Sequence, residues 1–304
     1  IIGTIWGIIS EPVMRLIGAE PDVFPQAVSY LTISFYGLPF MFGFFIFQSL
    51  MRGIGEVYLP MKIVLVTVIL NLGLAPLFIM GWGPIPAYGV GGAAIATIIT
   101  QGIATLIGYI ILLRGTHGIK LTLNNFKFDV PLIKKMFGLG IPSSIEGSMN
   151  ALGLTIMSFL VASFGTIIVA AYGIGIRILS FIIIPAFGLS MATSTLVGQN
   201  IGAEKPARAE KIAQKSAAIG FGTIVAISIV IFFVADFLAQ AFLVGEQVVL
   251  DEASLFIRFL CFSFGFMALQ LILNGAYTGA GNTRTSMIFS IISVWVFQFP
   301  IAYV

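Results

Sequence analysis

Long continuous apolar runs, each closed by a short polar turn, follow one another along this chain. Nine are read, at roughly 1–17, 26–51, 60–80, 87–114, 130–163, 167–198, 207–243, 248–278 and 284–304. Most reach the ~20 residues that cross a hydrocarbon core at a rise of about 1.5 Å per residue. The runs are apolar on every side and do not alternate. That pattern predicts buried or lipid-facing helices and argues against the strands of a membrane barrel. Glycine and proline recur inside them, 34 and 13 in all, which membrane helices tolerate because neighbours re-satisfy the freed backbone groups.

Charge then orients the segments. Arg52 and Lys62 flank the second-to-third connection, and Arg114, Lys120, Lys127, Lys134 and Lys135 sit in or beside the fourth-to-fifth. Lys205, Arg208, Lys211 and Lys215 belong to the sixth-to-seventh connection and Arg284 to the eighth-to-ninth. These are alternate connections, and they hold twelve of the fifteen Lys and Arg. The positive-inside rule makes that side cytoplasmic. The opposite connections, "GAEPDVFPQ", "GWGPIPAYG", "SFGTII" and "VGEQVVLDEAS", carry no Lys or Arg.

Two cytoplasmic turns resemble one another. "MRGIGEVYLPMKI" (51–63) and "YTGAGNTRTSMIF" (277–289) each place two glycines two apart, then a polar pair, then a methionine opening a fresh apolar run. Matching Gly53 and Gly55 with Gly279 and Gly281 sets an offset of 226. At that offset Phe40 meets Phe266, Met41 meets Met267, Met61 meets Met287, and Glu20 meets Glu246. The second and eighth segments are six apart and so cross in the same direction. The copies are therefore parallel repeats, related by a pseudo-two-fold along the membrane normal. The expected fold is an all-α polytopic membrane protein of two six-helix lobes, with about nine helices present. Residues 1–115 form the front lobe, 116–129 a cytoplasmic inter-lobe loop, and 130–304 the back lobe. The missing helices, two before and one after, make the chain a fragment on this reading.

Composition narrows the functional classes. Only 9% of residues are charged and 59% are hydrophobic, against about 25% charged in a soluble domain. The net charge of +3 is explained by the cytoplasmic loops and gives no case for nucleic acid. Cys261 is the single cysteine and His117 the single histidine, so neither a disulfide framework nor a Cys/His metal site is expected. No P-loop and no Ser–His–Asp set is present, which leaves an ATP-driven pump or an intramembrane protease unsupported.

Several stretches resemble the multidrug and toxic compound extrusion (MATE) transporters, above all their prokaryotic branch. They are "RGIGEVYLPMKIVLVTVILN", "GVGGAAIATIITQG", "GLGIPSSIEGSMNALG", "AAYGIGIRILSFIIIPAFGLSMATSTLVGQNIGAEKPARAEK" and "YTGAGNTRTSM". The resemblance implies twelve helices in two lobes and a central cavity that alternates between faces. It also implies export driven by H⁺ or Na⁺, with no cofactor beyond that coupling ion.

Ionisable groups inside a span are costly and are functional candidates by default. Glu146 lies four residues past Pro142, about 24 Å along a helix starting near Val130. A carboxyl there can exchange a proton, hold Na⁺ or hold a cationic drug. Some relatives carry an acidic cation ligand one turn later, where this chain has Asn150. Prokaryotic relatives also often pair an Asn and an Asp four apart in the front lobe. Here Asn71 remains but Ala75 replaces the Asp, which depletes that site and turns attention to Glu146. Arg177, the other charge within a span, is expected to pair with Glu146 or a backbone carbonyl, to gate, or to meet substrate. Gln48, Tyr172, Met267, Gln270 and Asn274 complete the candidate cavity for flat lipophilic cations, since methionine and aromatic surfaces re-pack around varied ligands.

The function expected is a secondary antiporter in the cell membrane, not an enzyme. As a monomer in the lipid bilayer it would export lipophilic organic cations in exchange for H⁺ or Na⁺. A lipid or lipid-linked-saccharide flippase of the same superfamily is the alternative, and would need a more cationic cavity. A channel would bring a repeated filter loop or charged ring, and none is found.

Overall fold

The computed structural model describes residues 9–15, 23–82, 86–122, 128–242 and 247–303. From Phe24 on, the described α-helices are, in order, α1 (Phe24–Gly53), α2 (Tyr58–Met80), α3 (Val90–Arg114), α4 (Val130–Ala162), α5 (Thr166–Gly202), α6 (Pro206–Phe233), α7 (Ala235–Phe242), α8 (Gln247–Gly279), α9 (Thr283–Ile291) and α10 (Phe299–Tyr303). The last two are joined by a π-helical stretch, Ile292–Gln298. Among the described residues eight segments are long and apolar enough to cross a membrane, the last being Thr283–Ala302. They coincide with eight of the nine apolar runs. The first run lies largely outside the described residues, of which 9–15 are helical. The run read as 207–243 is divided at Val234, where the chain turns into the short helix α7, packed against α8. Pro300, which has no N–H and crowds the preceding turn, follows the widened π segment.

The chain divides into two units, Ile1–Lys127 and Phe128–Val304. In the first, α3 packs on both α1 and α2, around Phe44, Phe47, Met51, Ile63, Ala104 and Leu112. The fit is close because α3 is glycine-rich there: a Cβ on Gly108 would lie 2.7 Å from the Phe47 ring. Thr105 Oγ1 also donates to the Phe40 carbonyl at 2.5 Å, tying α3 to α1.

In the second unit α8 is the central helix, with α5 and α6 packed along it. Ile178, Ile182, Ala186, Ile224, Ile257, Phe264 and Ala268 form its core. Near the ends of α5 and α8 the backbones themselves meet. A Cβ on Gly279 would fall on the Ser194 carbonyl and 2.8 Å from Ser194 Cα. α4 stands apart from this core and packs chiefly on α9.

The repeated turn matches bond for bond. In the first copy the N–H groups of Ile54, Gly55 and Glu56 donate to the carbonyls of Leu50, Arg52 and Met51. In the second, Ala280, Gly281 and Asn282 donate to Ala276, Thr278 and Tyr277, each pair shifted by the same 226 residues. Gly55 (φ 85°) and Gly281 (φ 77°) both take the left-handed backbone that favours glycine. The polar residue that follows caps the next helix in each copy. Leu59 N donates to Glu56 Oε1 at 3.0 Å, and Thr285 N to Asn282 Oδ1 at 3.4 Å. The α5–α6 turn closes the same three bonds through Ala203, Glu204 and Lys205, but with Glu204 at φ 57° where the others have glycine.

Candidate functional site

α4 begins at an Asp129 cap, whose Oδ1 accepts from Leu132 N at 3.0 Å, with Pro131 in the first turn. Its middle carries Pro142 and, one turn on, Glu146. α9 starts directly after the repeated turn, and its Ser286 and Ser290, four apart, share one face. α8 contributes Asn274, five residues before it ends. Packing of α4 on α9 brings these four side chains together.

Glu146 accepts three hydrogen bonds from neutral donors. Ser286 Oγ donates to Oε2 at 2.9 Å, Ser290 Oγ to Oε1 at 2.8 Å, and Asn274 Nδ2 to Oε1 at 3.1 Å. Asn274 Nδ2 also reaches Ser290 Oγ at 3.0 Å, closing the cluster. Ser286 and Ser290 are each only 1% exposed, while Glu146 and Asn274 are half-buried. Among the described residues the ion pairs are Arg15–Glu11 and Arg258–Asp236, so no cation answers Glu146. By helix rise the cluster lies about 7 Å from the end of α8 and about 5–10 Å into α9. On those helices it is one to two turns from the repeated turn, although α4 travels much farther to reach it.

This arrangement holds a negative charge in an apolar setting, since hydrogen bonds to charged groups are worth about 1.5–3 kcal/mol each. Putting a proton on the carboxyl turns one acceptor oxygen into a donor. A serine hydroxyl can rotate to accept it, whereas an amide N–H cannot. The same set also offers hard oxygen ligands for a small cation: two carboxylate, two hydroxyl and, with the amide turned over, Asn274 Oδ1. Among the described residues no group of three or more His, Cys, Asp or Glu could hold a metal ion.

Of the residues singled out in the sequence, the structure joins only Glu146 and Asn274. Asn150 is exposed one turn beyond Glu146, and its side chain makes no hydrogen bond among the described residues. Asn71 belongs to the first unit, where its Nδ2 donates to Thr100 Oγ1 at 3.3 Å. Gln48, the repeat partner of Asn274, accepts instead from Arg52 Nη1 at 3.4 Å within its own helix. Tyr172 packs against Phe256 with ring centroids 5.7 Å apart, Met267 rests on the second core, and Gln270 is exposed. Ser286 and Ser290 were not singled out. Their four-residue spacing in an apolar helix directly after the repeated turn was the available signal.

The expected pairing of Arg177 with Glu146 is not made. From the α4–α5 turn Glu146 lies about 24 Å down one helix and Arg177 about 16 Å down the other, and α4 leans on α9 instead of running beside α5. Arg177 is exposed, and its guanidinium has no hydrogen bond, ion pair or ring contact among the described residues. An arginine at the middle of a span costs about 2.5–3.5 kcal/mol on insertion scales. Arg258 is treated differently: its Nη2 donates to Asp236 Oδ2 at 2.8 Å and its guanidinium lies 5.9 Å from the Phe232 ring centre.

"Probable multidrug resistance protein YpnP" of Bacillus subtilis is 28% identical over 298 residues, covering 96% of this chain and 64% of the relative. "FAD transporter" of Shewanella oneidensis is 27% identical over 308 residues, covering 99% of this chain and 66% of its own length. The chain thus spans just under two thirds of these relatives. A crystal structure of MATE in the straight conformation superposes with a TM-score of 0.91 at 23% identity, over 99% of this chain and 66% of that one, which shows the fold. The MatE family model matches residues 1–77 and 142–304, and with the all-helical repeat fold this establishes that the chain is a multi-pass membrane protein belonging to the MatE family.

Proposed function

We propose that this chain forms most of a secondary active exporter that moves lipophilic, cationic compounds across the cell membrane in exchange for H⁺ or Na⁺. Glu146 is its coupling carboxylate. The observation that carries the reading is a carboxylate within a span, held by three neutral donors from two other helices and answered by no cation. A group so placed can accept a coupling ion without first giving up a salt bridge. The cluster also ties α4 to α8 and α9, so occupancy by the ion changes what holds these helices together. The multidrug resistance name of the Bacillus relative supports the substrate class. Asn150, one turn along from Glu146, and Asn71 in the other unit take supporting roles. Gln48, Tyr172, Arg177, Met267, Gln270 and Asn274 contribute to substrate contact.

The test is transport of a fluorescent organic cation into proteoliposomes of the full-length protein under an imposed pH or Na⁺ gradient. Glu146→Gln should abolish gradient-driven transport while leaving binding of the cation in place. Normal coupled transport by that variant would remove Glu146 from the mechanism.

A further inference from the structure

We propose that Arg177 anchors an anion subsite, taking a carboxylate or phosphate carried by an aromatic compound or by a lipid. Arg177 is the only charged residue in the 37 residues of α5. It stands 11 residues in from Thr166, about three helical turns from that end and beyond what one side chain covers by snorkelling.

The acids that could neutralise it are occupied or distant. Glu146 is held by Asn274, Ser286 and Ser290, and Asp236 by Arg258. The other acids described in this unit, Asp129, Glu204, Glu210, Asp251 and Glu252, lie at or near helix ends or in turns. Among the described residues the unit therefore satisfies Arg258 twice over and leaves the Arg177 guanidinium without a partner. An unpaired guanidinium held in an apolar helix is a standing demand for a counter-anion, and its planar fork suits carboxylate or phosphate.

The surroundings fit a bulky anion. One turn before Arg177, a Cβ on Gly173 would meet nothing within 4 Å, so the helix surface is open there. One turn after it, Phe181 is 65% exposed and offers a face for an aromatic ring. The site would thus take amphipathic aromatic anions, a class beyond the cations of the export reading.

This inference rests on that reading only for how the anion arrives, and its test needs no gradient. Binding of flavin mononucleotide and of riboflavin, which share a ring system and differ by a phosphate, is measured by fluorescence to the full-length protein in phosphatidylcholine nanodiscs. The wild type should bind the phosphorylated compound roughly 10- to 100-fold more tightly. Arg177→Gln should lose that preference, with an unchanged unfolding temperature reporting an intact fold, and Arg177→Lys should retain part of it. Nanodiscs containing phosphatidylglycerol separate the two sources. Competition that Arg177→Gln relieves makes a lipid phosphate the occupant, and no competition makes it a soluble anion. Equal affinity of the wild type for both flavins, or an undiminished preference in Arg177→Gln, overturns the proposal. Failed coupled transport with the preference intact overturns only the export reading.

Discussion

Gly279→Ala isolates the contact that sets the distance between α5 and α8. The added methyl would fall on the Ser194 carbonyl oxygen and 2.8 Å from Ser194 Cα, where ordinary contact begins at 3.4 Å. Both obstacles are backbone, so no rotamer change relieves them, and α5 must retreat by about half an ångström or more along a packed seam. Overpacking of this kind costs about 1–3 kcal/mol, offset by up to ~1 kcal/mol from the better helix propensity of alanine. The net loss of about 1–2 kcal/mol predicts a fall in unfolding temperature of several degrees, at roughly 2–4 °C per kcal/mol. Its repeat partner supplies the control. A Cβ on Gly53 meets nothing within 4 Å, so Gly53→Ala keeps the propensity gain without the clash and should leave stability unchanged or raised. Unfolding of the detergent-solubilised protein can be followed with a thiol-reactive fluorophore, because Cys261 is buried and becomes reactive on unfolding. Equal unfolding temperatures for the two variants would refute the reasoning.

Three further outcomes are expected. Glu204→Gly should stabilise the protein by about 0.5–1 kcal/mol, since Glu204 holds a left-handed φ of 57° at a cost glycine does not bear; the same melting assay checks it. Ser286→Ala with Ser290→Ala leaves Glu146 a single donor, and with bonds to charged groups worth about 1.5–3 kcal/mol each coupled transport in proteoliposomes should fall by tenfold or more while substrate binding persists. Asp129→Ala removes the cap of α4 and should lower stability by about 1 kcal/mol, seen as a lower midpoint in chemical denaturation.

Much of the fold was legible because lipid imposes one rule on every segment, and long apolar runs with Lys and Arg on alternate turns follow from it. The repeat was legible at a single place, the glycine-marked turn, because only there does the backbone demand a particular residue. Elsewhere the copies diverge freely. Gln48 and Asn274 occupy equivalent positions, yet one serves Arg52 on its own helix and the other Glu146 across two helices. Glu146 stood out in the sequence because a charge within a span is rare. Ser286 and Ser290 did not, because serine is an ordinary small residue in membrane helices and its role depends on which helix α4 leans on. The division at Val234 escaped notice for a related reason: α7 is as apolar as what precedes it, and only the turn of the backbone separates them.

The matched turns also fix rotational phase. Each closes three main-chain bonds and then caps the next helix within five residues of the glycine, leaving no slack between the helix that ends and the one that begins. One residue inserted there would turn the helix that follows by about 100° about its own axis. In the first copy that swings Asn71 away from Thr100. In the second it carries Ser286 and Ser290 off the face that meets Glu146. These turns therefore act as indexing stops: the polar cluster keeps its bearing on α9 because the chain is allowed only one count of residues in which to reverse direction.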